Sequence, residues 1–304
     1  MKPIRQLGVS FCDNRIQIAE VEQDKQPTVA ILAERDSSLD FSNEGASLSA
    51  DHPKVSSTIE ELASLFKQAG TSAEQISYAL PTNPLFIHTF PVDPTLEDEE
   101  LKEYLAWELQ QYFPDAGPKD FITDAHVIPS KDKDARRTFM VGVRRGIVAF
   151  LQKVSAGLKM KLQIVDIDHF SSEKTFKANY PELKKENAVL FGIGKSGIDA
   201  SVVKNHEMVD YRSYPNAAAS LGSTMTQYLN HVKQLDDVQN VAGLYLHGNQ
   251  VPSDTLTALS SETGIKTVSV DAFRKLTAAG SVDKTLAAES HRFAAAIGLA
   301  LRAS

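Results

Sequence analysis

Residues 187–214 read NAVLFGIGKSGIDASVVKNHEMVDYRSY, and the fold turns on how that stretch divides. Three alternating runs, Ala188 to Ile193, Ile198 to Val203 and Met208 to Tyr214, are separated by Lys195-Ser196-Gly197 and Asn205-His206. Short polar connections between such runs are hairpin turns, so the stretch is a meander of three antiparallel strands. Its first turn contains Gly192-Ile193-Gly194-Lys195-Ser196-Gly197, the glycine spacing of a dinucleotide-binding loop. That loop must open a helix whose N-terminus holds a pyrophosphate, whereas Ile198 to Val203 alternates with a period of two. A Walker loop is excluded as well, because Val189 stands where Gly194-Lys195-Ser196 requires a glycine.

A glycine hairpin keeps one chemical capacity, backbone N–H groups that converge on a phosphate. Gly194, Lys195, Ser196 and Gly197 are therefore the candidate nucleotide-binding residues, with a plain turn as the alternative. Gly248 follows the strand Val241 to His247, where open α/β sheets place ligands, and is a fifth candidate, with a plain turn before the next helix as the alternative.

Downstream of the meander come a helix from about Ala217 to Val232, the strand Val241 to His247, a helix Thr255 to Thr263, a strand Lys266 to Val270 and a terminal helix from Arg292 to Leu301. The same order stands at the start of the chain. Ile4 to Phe11, Arg15 to Val21 and Thr28 to Ala33 are strands separated by polar turns. Then comes a helix opened by Ser57 with Glu60 in a capping box, with Ile59, Leu62, Ala63 and Phe66 on its apolar face and Gly70 as its stop. Ile76 to Leu80 is a strand, Ile147 to Leu158 a helix, Leu162 to Ile167 a strand and Ser171 to Ala178 a helix. A meander followed by helix-linked parallel strands, written twice, predicts two ribonuclease-H-like lobes of the actin/Hsp70 type; a pure Rossmann repeat has no meander. The expected boundaries are 1–82 with 145–185 for the first lobe and 186–304 for the second.

Residues 83–144 interrupt the first lobe and carry their own strands, Leu85 to Val92, Asp120 to Ile128 and Thr138 to Val143. With a helix from Thr95 to Phe113 they form an inserted α+β subdomain. Leu101, Leu105, Leu109 and Tyr112 share one face of that helix, and Asp98, Glu99 and Glu100 suit its N-terminal dipole. Trp107, the only tryptophan, falls off the leucine stripe, so it either meets a partner or packs on the sheet edge.

The 304 residues suit two lobes of about 150 residues each. A net charge of -7 without a Lys/Arg block argues against nucleic acid as a partner. The one cysteine, Cys12, forms no intrachain disulfide, which suits a reducing cytosol, and it reads as a packed thiol. Met1 to Val9 carry Lys2 and Arg5 but no apolar stretch of signal-peptide length, and no window approaches the roughly 20 apolar residues of a membrane span, so membrane association is expected only through a partner. The eight histidines have no metal-ligand spacing, no metal site is expected, and His247 reads as a strand-end residue rather than a base.

Leu7-Gly8-Val9, Arg15 to Val21, Ala79-Leu80-Pro81, Leu105-Ala106-Trp107-Glu108 with Phe113-Pro114, Ala156-Gly157-Leu158 before Val165-Asp166, and Ala296-Ile297-Gly298-Leu299-Ala300-Leu301-Arg302 follow one another nearly end to end. In their order and spacing the chain resembles the PilM family of type IV pilus inner-membrane assembly proteins, actin-like ATPase relatives akin to the cell-division protein FtsA. The resemblance implies ATP with Mg²⁺ as cofactor, a PilN-like inner-membrane partner, other pilus or secretion assembly proteins as further contacts, and a cytoplasmic position at the inner membrane. It leaves self-association open.

It also implies an acidic residue, a glycine and a lysine in the first phosphate loop, where this chain has Ser10, Cys12 and Gln17. In the second loop an implied Asp and Thr appear as Gly192 and Ile198, and Asn249 takes the place of a glycine. Without those carboxylates, Mg²⁺ and water lose the groups that position them for phosphoryl transfer. The leading expectation is a non-catalytic adaptor holding the cytoplasmic tail of a PilN-like protein, with an extended peptide between the first lobe and its insert. The alternative is a working ATPase that regulates pilus assembly. A sugar or acid kinase would need an acidic base in the cleft, and the sequence assigns none.

Overall fold

The computed structural model of the chain describes residues 4–93, 95–114, 116–128, 136–215, 221–235, 238 and 240–302. The chain opens with the expected meander, β1 (Ile4–Cys12), β2 (Arg15–Gln23) and β3 (Thr28–Asp36). Asp13 and Asn14 connect β1 to β2 with φ of 53° and 60°, the doubly left-handed turn whose twist matches a two-residue hairpin. The short α1 (Phe41–Glu44) leads to α2 (Val55–Ala69) and β4 (Gln75–Leu80).

The capping box expected at Ser57 is absent. The helix begins earlier, and the Ser57 hydroxyl donates instead to the Lys54 carbonyl inside the first turn. Its buried face is Val55, Thr58, Leu62, Leu65 and Phe66, with Ala63 exposed, and Gly70 stops it at φ 73° as expected.

The insert comprises β5 (Phe86–Val92), α3 (Asp98–Tyr112), β6 (Phe121–Ile128) and β7 (Arg136–Arg144). Its sheet order is β5-β7-β6, so β5 and β6 are both edges. Leu105 and Leu109 of α3 pack on Phe86, Phe90, Phe121 and Met140, while Tyr112 stays 48% exposed. The opposite side of the sheet reaches the second half of the chain through Phe139 against Tyr211 and through Arg137 with Asp210 at 3.1 Å.

After the insert come α4 (Arg145–Gly157), β8 (Lys161–Ile167) and α5 (Asp168–Asn179). The second half gives β9 (Asn187–Gly194), β10 (Gly197–Lys204), β11 (Glu207–Pro215), α6 (Leu221–Val232), β12 (Val241–His247), α7 (Ser253–Thr263) and β13 (Thr267–Ser269). The start expected for α6, at Ala217, lies outside the described residues. The second sheet runs β11-β10-β9-β12-β13, with the meander antiparallel and β12 and β13 parallel. It repeats the β3-β2-β1-β4-β8 order of the first sheet.

The last segment departs from the expected division at residue 186. The two-residue β14 (Thr277–Ala278) pairs in parallel with β3, at the edge of the first sheet. After α8 (Lys284–Ala288), α9 (Ala294–Arg302) buries Ala296, Ile297 and Ala300 against Ala19, Val21 and Val29 of β2 and β3. In return α5, which precedes the division, places Phe176 and Tyr180 on Leu190 and Tyr245 of the second sheet.

Each sheet is thus covered on one side by the other half's last helix. The exchange needs close backbone approach: a Cβ on Gly8 would sit 2.1 Å from the Ala296 carbonyl oxygen. Among the described residues no helix is long and apolar enough to cross a membrane.

Candidate functional site

The two meanders point their first hairpins at one another across the crevice between the lobes. Cys12, Asp13, Pro81 and Thr82 come from the first lobe, Asp168 heads α5, and Gly192, Ile193, Gly194, Ser196, Gly197, Asp199, His247 and Gly248 come from the second. Four of the five candidate nucleotide-binding residues, Gly194, Ser196, Gly197 and Gly248, line this one cleft. The backbone of the fifth, Lys195, closes it, donating its N–H to Asp13 Oδ1 at 2.7 Å. The glycines are conformationally required: Gly197 has φ 149° and a Cβ there would meet the Tyr214 carbonyl at 2.3 Å, while Gly248 has φ 103° and would meet the Ile193 carbonyl at 2.4 Å.

The cleft is more acidic than the sequence reading allows. Ser10 and Gly192 do stand where the resemblance implies carboxylates, and Ser10 is buried. Yet three aspartates, Asp13, Asp168 and Asp199, line the crevice. Asp199 accepts from Tyr211 at 2.5 Å and, across the lobes, from Thr82 at 3.0 Å. Burial, and then the Asp199 charge, push the Asp168 carboxyl well above the usual carboxylate range; burial also raises Asp199 and Asp13. Asp168 was legible in principle, because it follows strand Leu162 to Ile167 directly, at the end of a parallel strand that faces the crevice. Asp13 was hidden inside an ordinary turn.

Behind Gly192 the space is taken by imidazoles. A Cβ on Gly192 would lie 2.7 Å from His247 Cε1 and 2.9 Å from His169 Nδ1. His247 Nε2 is 3.1 Å from His169 Nδ1, and His169 Nε2 is 2.8 Å from Ser201 Oγ. Burial, with the nearby His291 charge, pushes His247 down to about 3, and burial takes His169 well below its ordinary value, so both rings are neutral at physiological pH. His247 is a strand-end residue, as expected, but a paired and buried one.

Three positions that depart from the implied phosphate-loop pattern bond to one another. The Gln17 Nε2 donates to Asn249 Oδ1 at 2.9 Å, and Asn249 Nδ2 donates to the Cys12 carbonyl at 3.3 Å. Arg292 Nη2 donates to both oxygens of Glu34, at 2.7 and 2.6 Å, from the second half to the first. Burial, then the Asp13 charge, push the Cys12 thiol well up, so it is an inert packed thiol.

The cavity left in the cleft is about 30 Å³, the share of one water, whereas small-molecule pockets start at roughly 300 Å³. In this closed arrangement the residues do not fit a nucleotide.

A larger groove lies on the other side of the insert. About 980 Å³ is enclosed by Ile122 and Ala125 of β6, Val141 of β7, Ile164 and Val165 of β8, and Phe170 of α5. Both β6 and β8 end their sheets, so the groove is flanked by two strand edges. Trp107 is elsewhere: it is 54% exposed on α3, its ring 5.9 Å from Tyr104, and the packed alternative for it is overturned. The helix has a second face because its apolar stripe is only Leu105 and Leu109 wide at that level, and Trp107 falls outside it.

Two sheets of matching order, closed on each other through exchanged helices, with paired hairpins in the crevice, define a two-lobed protein of the actin-like ATPase fold carrying an insert in its first lobe. Similar solved structures have that fold. A PilM-PilN type IV pilus biogenesis complex aligns with a TM-score of 0.73 at 17% identity, over 98% of this chain and 98% of that one. The ethanolamine utilization protein EutJ from Carboxydothermus hydrogenoformans aligns at 0.52 and 12% identity, over 99% and 90%. A protein of actin-like ATPase fold and unknown function from Bacteroides thetaiotaomicron aligns at 0.50 and 13%, over 88% and 91%. No curated protein sequence matches. The family model described as type IV pilus assembly protein PilM matches residues 8–235, and the chain belongs to that family.

Proposed function

We propose that this chain is a non-catalytic adaptor of a type IV pilus or related secretion or competence machine, held at the cytoplasmic face of the inner membrane by the tail of a PilN-like partner. The observation that carries the reading is the groove between the first lobe and the insert, with the unpaired edges of β8 and β6 on its sides and an apolar wall of Ile122, Val141, Ile164 and Phe170. An extended peptide gains affinity from main-chain hydrogen bonds to such an edge and selectivity from pockets for alternate side chains. One of the similar solved structures is itself a PilM-PilN complex. Trp107, on a different face, is left for another component of the assembly.

The test is calorimetric titration of the chain with the cytoplasmic tail peptide of a PilN-like protein. One-to-one, saturable binding that disappears with a scrambled peptide supports the adaptor; no heat at any accessible concentration removes it. The ATPase alternative, with ATP and Mg²⁺ in the cleft, is tested separately by thermal shift, since saturation at about 100 times the dissociation constant adds roughly 2.7 kcal/mol of stability.

A further inference from the structure

We infer that the Asp13 carboxylate is a built-in anion that occupies the phosphate position of the second hairpin, so that the two lobes are latched together by the chain itself. The tail groove plays no part in this, and either reading can fail without the other.

Backbone N–H groups of a glycine hairpin attract an anion, whatever molecule supplies it. Here the anion comes from the opposite hairpin: Asp13 Oδ1 receives the Lys195 N–H at 2.7 Å. The fit is close on both sides. A Cβ on Gly194 would lie 3.2 Å from the same oxygen, so the second hairpin accommodates the carboxylate because it has no side chain there. Asp13 itself sits at the tip of a two-residue turn with φ 53°, a conformation that Asp tolerates better than most residues. A phosphate on the Lys195 amide would have to displace a carboxylate already tethered at that point, and with it open a cavity of only about 30 Å³.

The latch is not isolated. The Thr82 hydroxyl to Asp199, Gln17 to Asn249, Asn249 to the Cys12 carbonyl and Arg292 to Glu34 all join the first half of the chain to the second around the same crevice. Groups that in an open cleft would face solvent or a ligand bond to each other here, while Asp13 Oδ2 and Gln17 Oε1 are buried without a hydrogen-bond partner among the described residues. Lobe closure, which in a ligand-gated cleft is bought with binding energy, is here wired into the sequence.

The experiment compares the full chain with Asp13→Ser by titration with inorganic pyrophosphate and with Mg-ATP, and by hydrogen exchange at the Lys195 amide. A hydrogen bond to a charged group is worth enough that its removal should raise anion affinity about tenfold to a hundredfold and speed Lys195 exchange by a similar factor. The wild type should bind pyrophosphate and Mg-ATP at least about tenfold more weakly than Asp13→Ser. The inference is overturned if the wild type binds either ligand as tightly as Asp13→Ser, if Asp13→Ser binds pyrophosphate no better than the wild type, or if Lys195 exchange does not change. Should Asp13→Ser fail to fold, Asp13→Asn keeps the shape and an acceptor oxygen while removing the charge. The same two readouts then apply, with pyrophosphate affinity expected to rise at least about threefold and an unchanged value counting against the latch.

Discussion

Gly298 of α9 crosses Ser171 of α5 so closely that a Cβ at position 298 would lie 1.7 Å from the Ser171 carbonyl oxygen and 2.8 Å from Thr175 Oγ1. The obstructing atoms include helix backbone, which cannot rotate away, and the helices involved are the exchanged pair that closes each half of the molecule over the other. Gly298→Ala should therefore cost about 3 kcal/mol or more, beyond the usual penalty for one extra methyl group in a core. Chemical denaturation of the variant should show an earlier midpoint; an unchanged midpoint would mean that the helices separate freely.

Among the described residues, Arg292 and Glu34 form the most enclosed ion pair between the halves, with side chains 16% and 15% exposed. Exposed pairs contribute at most about 1 kcal/mol, and loss of one partner from a fully buried pair costs roughly 3–5 kcal/mol. This pair lies between, so Arg292→Ala and Glu34→Ala should each destabilise by about 2 kcal/mol. Because Gln17 and Arg15 also bond Glu34 and Arg292 also bonds Glu289, the double variant should lose clearly less than the sum. A double-mutant cycle in urea reads this directly, and strict additivity would refute it.

Much of the architecture was legible because it was written twice. The strand runs around Gly194 and around Asp13 alternate with a period of two, and each is followed by helix-linked buried strands, so both sheets and the insert follow from pattern alone. What pattern does not carry is which partner a helix chooses. Ala296 to Leu301 is apolar on every side, and only the close approach at Gly8 and Gly298 sends α9 to the first sheet. The site divides in the same way. Gly194, Gly197 and Gly248 announce themselves by residue type, whereas Asp13, Asp168 and His169 acquire their roles from a crevice that exists only once distant segments meet. Cys12, Gln17 and Asn249 were visible as departures from a pattern, but that they bond to each other was not.

The buried imidazoles make stability depend on pH with a definite sign. His247 is pushed down to about 3 by burial, against about 6.5 in the unfolded chain. Between those values the unfolded state holds a proton that the folded state lacks, so the stabilisation is complete above about pH 6.5 and is lost as pH falls below it, at about 1.4 kcal/mol per pH unit. Asp168 and Asp199, raised by burial, titrate in the opposite sense, so the informative quantity is the difference between variants. Relative to His247→Gln, the wild type should lose about 2 kcal/mol more stability between about pH 7 and about pH 5. Parallel stability curves for the two proteins would show that His247 takes up its proton without unfolding.

The groove reading makes the sharpest demand on two residues that look alike by exposure. Ile122 is 39% exposed on the β6 edge and Trp107 is 54% exposed on α3, so replacing either should change folding stability by no more than about 0.5 kcal/mol. Their surroundings differ. Ile122 belongs to the apolar wall shared with Val141, Ile164 and Phe170, and a carboxylate there would be stripped of water whenever a peptide lay along β6 or β8. Burying an unpaired charge costs several kcal/mol, of which partial exposure returns some, so Ile122→Glu should weaken tail binding at least about tenfold. Trp107 does not line the groove, and Trp107→Ala should leave tail affinity within about twofold. Calorimetry on the two variants gives opposite answers if the tail lies between β8 and β6. If Trp107→Ala is the damaging change and Ile122→Glu is silent, the tail binds on the exposed face of α3, and the two sheet edges are not its site.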